Sequence, residues 1–289
     1  MKSILITGSE GQLGNSLRLE SQKHDGFNCT FIDIKDLDLT NSEEVKNYFE
    51  HNRYDYIINC AAYTQVDQAE KNPETAFAVN EGIPALLAEE CIRGTRLIHI
   101  STDYVYDGTK NLPHLEDENT APESVYAKSK LAGEDALKNN PLCLIIRTSW
   151  LYSEFGNNFV NTMLRLSGQR NEINVVYDQV GTPTYAADLA RVIFVILSES
   201  EQNTFKGGIY NYSNEGVCSW FDFACEIMKY TNSTCRILPI RTREYPLPAA
   251  RPAFSVMDKS KIKRTFDIRI PHWRDSLYIA LDNLNSNKL

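Results

Sequence analysis

Tyr126 and Lys130 stand four residues apart in "SVYAKSKLAGE" (124–134), a spacing that places two side chains on one face of a helix. A phenol gives up its proton only near pH ~10. A fixed positive charge one turn away favours the phenolate and brings the group toward proton exchange at neutral pH. The pair is therefore a candidate acid–base unit. In "HISTDYVYDG" (99–108), Ser101, Thr102 and Asp103 follow an apolar run. A hydroxyl there can hold a substrate carbonyl while Tyr126 supplies a proton from the helix that follows. A third candidate is "TGSEGQLG" (7–14), in which Gly8, Gly11 and Gly14 open a helix. Glycine lets backbone N–H groups approach a pyrophosphate, whose charge is favoured at a helix N-terminus. Its GxxGxxG spacing is a variant of the dinucleotide fingerprint GxGxxG.

Each motif has a plainer reading: a solvated Tyr and Lys, hydroxyls capping a turn, a glycine turn joining strand to helix. Their order along one chain is more specific than any of them singly. Asp33, nineteen residues beyond Gly14, ends a second apolar run, where a carboxylate accepts adenosine ribose hydroxyls and repels a 2′-phosphate. Lys35 close by tolerates that phosphate instead, so NADPH and NADH both stay open.

These residues need a scaffold, and the apolar runs supply one. "SILIT" (3–7), "CTFID" (29–33), "YDYIINCAA" (54–62), "RLIHIS" (96–101) and "LCLIIRT" (142–148) read as strands. Helical patterns alternate with them, at 12–22, at 41–52, over "NPETAFAVNEGIPALLAEECIRG" and around Tyr126. The alternation predicts an α/β fold, a Rossmann-like doubly wound parallel sheet. Pro84 should kink or divide the third helix. After Trp150 the rhythm changes: "NNFVNTMLRLSGQR" and "YAADLARVIFVILSES" read as helices, "INVVYD" as extended, and "GIYNYS" (208–213) as a strand rejoining the main sheet. "SWFDFACEIMKYTN", "CRILPI" and "EYPLPAARPAF" suggest a smaller interleaved α/β substrate-binding domain. The expected division is 1–149 for the dinucleotide-binding domain with returning segments at about 174–213, 150–173 and 214–270 for the substrate-binding domain, and 271–289 for a C-terminal helix and tail whose last residues fray.

The totals fit this scheme. A chain of 289 residues allows one large domain or two joined ones, and 42% hydrophobic with 24% charged residues supports a sizeable core. The formal charge of -8 disfavours nucleic acid or an anionic membrane as partner, while leaving room for a local basic pocket. Of seven cysteines, Cys29, Cys60, Cys91 and Cys143 lie in or beside apolar runs and read as buried free thiols. The N-terminus lacks a signal peptide and no apolar run nears the roughly 20 residues of a membrane span. The expectation is a cytoplasmic protein. His24, His51, His99, His114 and His272 are scattered, as structural or solvated histidines are.

Further along, "NCAAYTQVDQAE" (59–70), "RTSWLY" (147–152), "GNNFVNTMLR" (156–165), "DQVGTPTYAADLA" (178–190) and "AARP" (249–252) complete a pattern. With the motifs above, the chain resembles the extended short-chain dehydrogenase/reductase superfamily over nearly its full length and, more narrowly, its dTDP-4-dehydrorhamnose reductase family. The resemblance implies reduction of the C4 keto group of dTDP-4-dehydro-6-deoxy-L-mannose to dTDP-L-rhamnose by NADPH or NADH. It casts Thr102, Tyr126 and Lys130 as catalytic: Lys130 holding the nicotinamide ribose and lowering the phenol's pKa, Tyr126 donating a proton to O4, Thr102 polarising the carbonyl. Cofactor contacts would come from Gly8, Gly11, Gln12, Leu13, Gly14, Asp33, Asp38, Leu39, Ala61, Ala62 and Tyr63, together with Tyr126 and Lys130. Asp103, Tyr104 and Trp150 would meet the sugar, and Asn158 and Arg251 the nucleotide and its diphosphate, for which arginine offers a charged fork.

Core packing is the competing role for Trp150, a surface ion pair for Arg251, and a structural hydrogen bond for Asn80. The same fold also serves nucleotide-sugar 4,6-dehydratases, 4-epimerases and noncatalytic subunits. The dehydratases follow their threonine with Asp-Glu, whereas Thr102 is followed by Asp103 and Tyr104. Some family members bind a divalent metal at a dimer interface through glutamates, one of them in the first helix. Asn15 stands there, so no metal is expected, and monomer and homodimer stay open.

Overall fold

The first strand, β1 (Lys2–Thr7), carries Ile4, Leu5 and Ile6 with no exposed surface, as a strand covered on both faces requires. The structure, a computed structural model, describes residues 1–286. From β1 the chain runs through α1 (Gln12–Ser21), β2 (Phe27–Ile32), α2 (Ser42–His51), β3 (Tyr56–Asn59), α3 (Val66–Ala69), α4 (Pro73–Phe77), α5 (Ile83–Cys91), β4 (Arg96–Thr102), α6 (Val125–Leu137) and β5 (Cys143–Thr148). A second stretch contains β6 (Leu151–Tyr152), α7 (Phe159–Ser167), β7 (Glu172–Val176), β8 (Val180–Gly181), β9 (Thr184–Tyr185), α8 (Ala186–Gln202) and β10 (Gly208–Asn211). The last contains β11 (Cys218–Ser219), α9 (Trp220–Tyr230), β12 (Arg236–Ile240), α10 (Ser260–Phe266) and α11 (Trp273–Ser286).

Six strands form one parallel sheet in the order β10-β5-β4-β3-β1-β2. Its side chains alternate between two cores, as the two-residue period of a strand dictates. Ile4, Ile6, Ile58, Ile98, Leu144 and Ile146 pack with α1 and α8 through Leu13, Leu17 and Ile193. Leu5, Ile57, Leu97 and Ile145 face Val45 and Phe49 of α2, Leu87 of α5 and Leu137 of α6. This is the Rossmann-like doubly wound sheet read from the sequence. The strand order reverses between β1 and β3, which opens a crevice at their carboxyl ends. No described helix is long and apolar enough to cross a membrane.

The helix expected over 72–94 is divided. Ala78–Gly82 winds as a π-helical turn between α4 and α5, and Pro84 opens α5, where its missing N–H costs nothing. The wide turn exposes Asn80 to its neighbours, and α6 crosses it at Gly133.

Beyond β5 the chain builds a second core from Tyr152, Val160, Met163, Ile173, Val175, Phe223, Ile227, Trp273 and Leu277. β7 pairs in parallel with β12, so residue 174 lies within this second unit. The return to the first unit that was expected there comes with α8, because Ile173 and Val175 have already packed with α7 and α9. β10 completes the return by pairing with β5. α11 packs on the second core through Trp273, Leu277 and Leu281. Of the tail expected to fray, residues 287–289 lie outside the described residues.

A methyl group on Gly133 would sit 2.1 Å from the Asn80 carbonyl oxygen. Gly133→Ala should therefore destabilise the protein by about 1–3 kcal/mol, the usual cost of overpacking, seen as a fall in Tm of several degrees in a thermal unfolding experiment.

Candidate active site

The crevice begins at the glycine turn. Gly8 has a φ of 61° and lies so close to the Ala61 backbone that a Cβ would come within 2.7 Å of it. A Cβ on Gly14 would come 2.5 Å from the Gly8 carbonyl. Gly11 caps α1 without any side-chain bond, which leaves the helix's first-turn N–H groups as donors for an anion. The Asp33 carboxylate ties β2 to this turn, accepting from Glu10 N and from Ile34 N at 2.9 Å each. Lys35 pairs with Glu10 beside it. Asp38 accepts from the backbone N and hydroxyl of Thr40 at 2.9 and 2.7 Å, which holds its carboxyl below the ordinary value, and Leu39 is buried.

The segment after β3 is held by two asparagines. Asn59 accepts from the Thr7 hydroxyl at 2.8 Å and from Ala61 N at 3.2 Å. Asn80 is fully buried; its carboxamide accepts from Tyr63 N at 2.9 Å and donates to Tyr63 O at 3.1 Å and to the Ser129 hydroxyl at 2.9 Å. Ala61, Ala62 and Tyr63 are fixed against the crevice by these bonds.

α6 starts at Ser124, whose hydroxyl accepts from Ala127 N, and brings Tyr126 and Lys130 under the end of β4. Lys130 is 2% exposed. Its Nζ donates to the Ile100 carbonyl at 2.7 Å and lies 3.4 Å from His99 Nε2. Burial pushes the ammonium down to about 8, opposed by the Glu134 carboxylate one turn on. His99 is held well below its ordinary value by burial and by the Lys130 charge. It is therefore neutral. Tyr126 is pushed up to about 12 by burial, with the Thr102 hydroxyl pulling it back.

This corrects one expectation. The lowering of the phenol's pKa expected from Lys130 is outweighed in the unliganded protein by burial, which acts on both groups. Tyr126 consequently keeps its proton at neutral pH.

Thr102 Oγ1 donates to Asp103 Oδ1 at 3.1 Å and accepts from Tyr104 N at 3.3 Å. Asp103 is buried, which pushes its carboxyl up to about 6, opposed by Ser255 and Thr102. Tyr104 stands edge-on to Tyr126, ring centroids 5.7 Å apart. Tyr104 also opens onto a cavity of about 980 Å³, whose walls include Met163, Arg170, Trp220, Tyr245 and Arg251. The arrangement joins a proton donor, a dry cation and a hydroxyl at a strand end to a cavity large enough for a nucleotide-sized molecule.

The sequence profile of the RmlD substrate binding domain family matches residues 1–286. The chain belongs to that family. It is 39% identical to the spore coat polysaccharide biosynthesis protein SpsK of Bacillus subtilis over 99% of each chain. It is 40% identical to the dTDP-4-dehydrorhamnose reductase of Aggregatibacter actinomycetemcomitans, over 96% of this chain and 97% of that one. Its fold superposes on the crystal structure of dTDP-4-dehydrorhamnose reductase from Bacillus anthracis in complex with NADP, with a TM-score of 0.92 and 39% identity over 98% of this chain and 99% of that one.

In this RmlD-family chain, Trp150 and Asn158 are both engaged by other parts of the protein. Trp150 adopts a left-handed backbone with φ 47°. Its ring stacks on Trp220 at 3.6 Å, and of the two it is Trp220 that lines the cavity. Gly181 permits this, since a Cβ there would lie 2.8 Å from the Trp150 ring. Asn158 was expected at the nucleotide, but its carboxamide is engaged within the protein. It caps α7 by accepting from Asn161 N at 3.0 Å, and it donates to Gln12 Oε1 at 3.0 Å and to Ser153 O at 2.8 Å. Gln12 thereby links the glycine turn to the second unit, also donating to Leu151 O at 3.4 Å. Asn15 donates to the Glu10 and Gly11 carbonyls at 2.9 Å each. Arg251 reaches the cavity wall with its fork on Asp67. Sequence reasoning passed over Asp67 and Trp220. Each lies inside a segment already quoted, but nothing local marks what it meets across the fold.

The low pKa of Lys130 has a stability consequence. The unfolded chain holds this proton up to about 10.5, the folded one only to about 8, so the charge costs stability fully below pH 8 and not at all once both states are neutral. Lys130→Met should be most stabilised relative to wild type below pH 8, and its advantage should shrink as pH rises from about 8 to 10.5. Chemical denaturation of both proteins across that range measures the difference.

Proposed function

We infer that this chain is a nucleotide-sugar reductase, transferring hydride from NADPH or NADH to C4 of dTDP-4-dehydro-6-deoxy-L-mannose to give dTDP-L-rhamnose. The observation that carries the reading is the convergence of Thr102, Tyr126 and Lys130 at the carboxyl end of β4, beside the cavity, in a chain close to named reductases over its whole length.

The glycine turn and the uncapped start of α1 fit a pyrophosphate, and Ala61–Tyr63 fit the cofactor's flank. The nicotinamide, when bound, supplies the hydride. The protein's own residues handle the proton and the positioning. Tyr126, protonated at neutral pH, gives its phenolic proton to O4 as negative charge develops there, and the Lys130 ammonium stabilises the phenolate left behind. Lys130, anchored on Ile100 O, keeps further N–H donors for the ribose hydroxyls. Thr102 turns its hydroxyl from Asp103 toward the substrate carbonyl, and Asp103 and Tyr104 border the sugar. Asp33 accepts the adenosine ribose hydroxyls, while Lys35 offers a cation for a 2′-phosphate. Tyr104 stands where dehydratases carry glutamate, so the acid–base partner for dehydration is missing. All seven cysteines are free thiols, which suits a cytoplasmic enzyme.

The test is consumption of reduced nicotinamide with this keto sugar, run separately with NADPH and NADH, and product identification by NMR. Formation of dTDP-L-rhamnose is expected. A folded protein that binds either cofactor but oxidises neither would remove the assignment. Tyr126→Phe should lower kcat by about 10²–10⁴-fold while leaving cofactor affinity, followed by nicotinamide fluorescence, at the wild-type level. The wild-type rate should also fall as pH rises through about 8, where Lys130 loses its charge. A rate flat to pH 9.5 would exclude that charge from the reaction.

A further inference from the structure

Arg251 does not reach the cavity unaided. Asp67, on α3 of the first unit, accepts from Arg251 Nη1 at 3.1 Å and from Nη2 at 2.7 Å, and takes a third bond from Ala249 N at 3.1 Å. Nη1 gives its other proton to Ala249 O at 3.0 Å. A guanidinium has five N–H donors. Three are thus engaged, and among the described residues Nε–H and one Nη2–H have no acceptor. The pair is shielded from water, with the two side chains 18% and 31% exposed.

The same carboxylate marks a change in how the chain is held. Arg241–Pro248 is exposed throughout, tethered near its start where Thr242 N and Oγ1 donate to Asp178 at 2.8 and 2.7 Å. Tyr245 and Leu247 on this strap line the cavity yet are 56% and 40% exposed. From Ala249 onward the chain is pinned to the body. Pro252 packs so closely on Gly108 that a Cβ there would come within 2.4 Å, Phe254 N donates to Gly108 O at 3.1 Å, and His114 N donates to Val256 O at 2.8 Å. Asp67 is the anchor at which the strap leaves the surface.

We propose that Asp67 is a positioning residue for substrate binding. It grips one edge of the Arg251 guanidinium and the Ala249 amide, so that Arg251's two unused N–H donors serve the diphosphate of a nucleoside-diphosphate substrate and the strap over the cavity starts from a fixed point. The role rests on the nucleotide-sugar reading. A planar guanidinium binds two acceptors along different edges at once, and a carboxylate on one edge fixes the plane of the other. Without it Arg251 keeps its charge and loses its aim.

Calorimetric titration of dTDP into the NADPH-loaded enzyme tests this, with thymidine as the phosphate-free control. Asp67→Asn should weaken dTDP roughly tenfold or more and leave thymidine unaffected. KM for the keto sugar should rise in parallel, with kcat within about threefold of wild type and NADPH affinity unchanged. Asp67→Asn/Arg251→Met should bind dTDP no worse than Arg251→Met alone, since Asp67 acts through Arg251. Unchanged dTDP affinity in Asp67→Asn, or losses that add in the double variant, overturn the proposal. Tighter binding also overturns it and makes Asp67 a competitor of the diphosphate. If Asp67→Asn does not fold, Arg251→Lys takes its place, and wild-type dTDP affinity in that variant overturns the proposal as well. Wild-type turnover with an indifferent Asp67→Asn removes only the positioning role. Wild-type binding of dTDP without turnover removes the assigned reaction and leaves the titration to judge Asp67. Failure of both removes both.

Discussion

A lysine ammonium almost sealed from water sits at the centre of this fold, and much of the surrounding sequence answers to it. A buried cation is tolerated only with compensating partners. Lys130 donates to the Ile100 carbonyl, and beside it lies a neutral imidazole, His99, whose Nδ1 accepts from Asn59 Nδ2 at 3.1 Å. Asn59 also receives Thr7, so adjacent strands β1, β3 and β4 contribute one side chain each to a chain of bonds ending at the imidazole beside the ammonium. One turn further along α6, Glu134 accepts from Ser101 at 2.5 Å and from Arg147 Nη2 at 2.6 Å. This locks the helix to β4 and β5 and places a negative charge behind Lys130.

With α6 fixed in this way, the other parts of the site follow from what must pack around it. Gly133 lets the helix close onto the π-helical turn, and that turn carries Asn80, which holds both Tyr63 and Ser129. The segment expected to flank the cofactor and the helix that carries Tyr126 are therefore set by one contact. Two of the polar links to the second unit flank the crevice. Gln12 reaches Asn158, Ser153 and Leu151, and Asp67 reaches Arg251. One link joins the glycine turn to the second unit and the other borders the cavity wall, so each half of the crevice has its own polar tie across the boundary.

The sheet was legible because a parallel strand buried on both faces is built round an apolar run, and "SILIT", "RLIHIS" and "LCLIIRT" each hold one. The glycine turn, Thr102, Tyr126 and Lys130 could be singled out because the chemistry proposed for them depends on local spacing. What escaped depends on distance or direction. Asp67 and Arg251 are 184 residues apart, and neither motif names the other. Asn158 looks like a ligand until its neighbours are known, since an asparagine before a helix is equally a cap. The boundary near residue 174 was misplaced because β7 and its partner β12 are separated by the whole returning segment. Lys130 was placed on the right face of the right helix. Burial outweighs its pull on Tyr126; spacing gives proximity and says nothing of how dry the neighbourhood is.

That dryness bears on the proton transfer proposed for Tyr126. The same desolvation lifts the phenol to about 12 and lowers the ammonium to about 8, the reverse of what would generate a phenolate base in the unliganded protein. A sugar alkoxide is a strong base, and an acid of high pKa gives its proton to it with little mismatch while staying fully protonated at neutral pH. Oxidation of an alcohol would need the opposite, a phenolate present before the reaction begins. Tyr126 thus begins in the form that reduction consumes. Lys130 is still mostly charged at neutral pH, so it can stabilise the phenolate once that proton has gone. The burial that makes the lysine costly to fold is the same burial that keeps the tyrosine an acid.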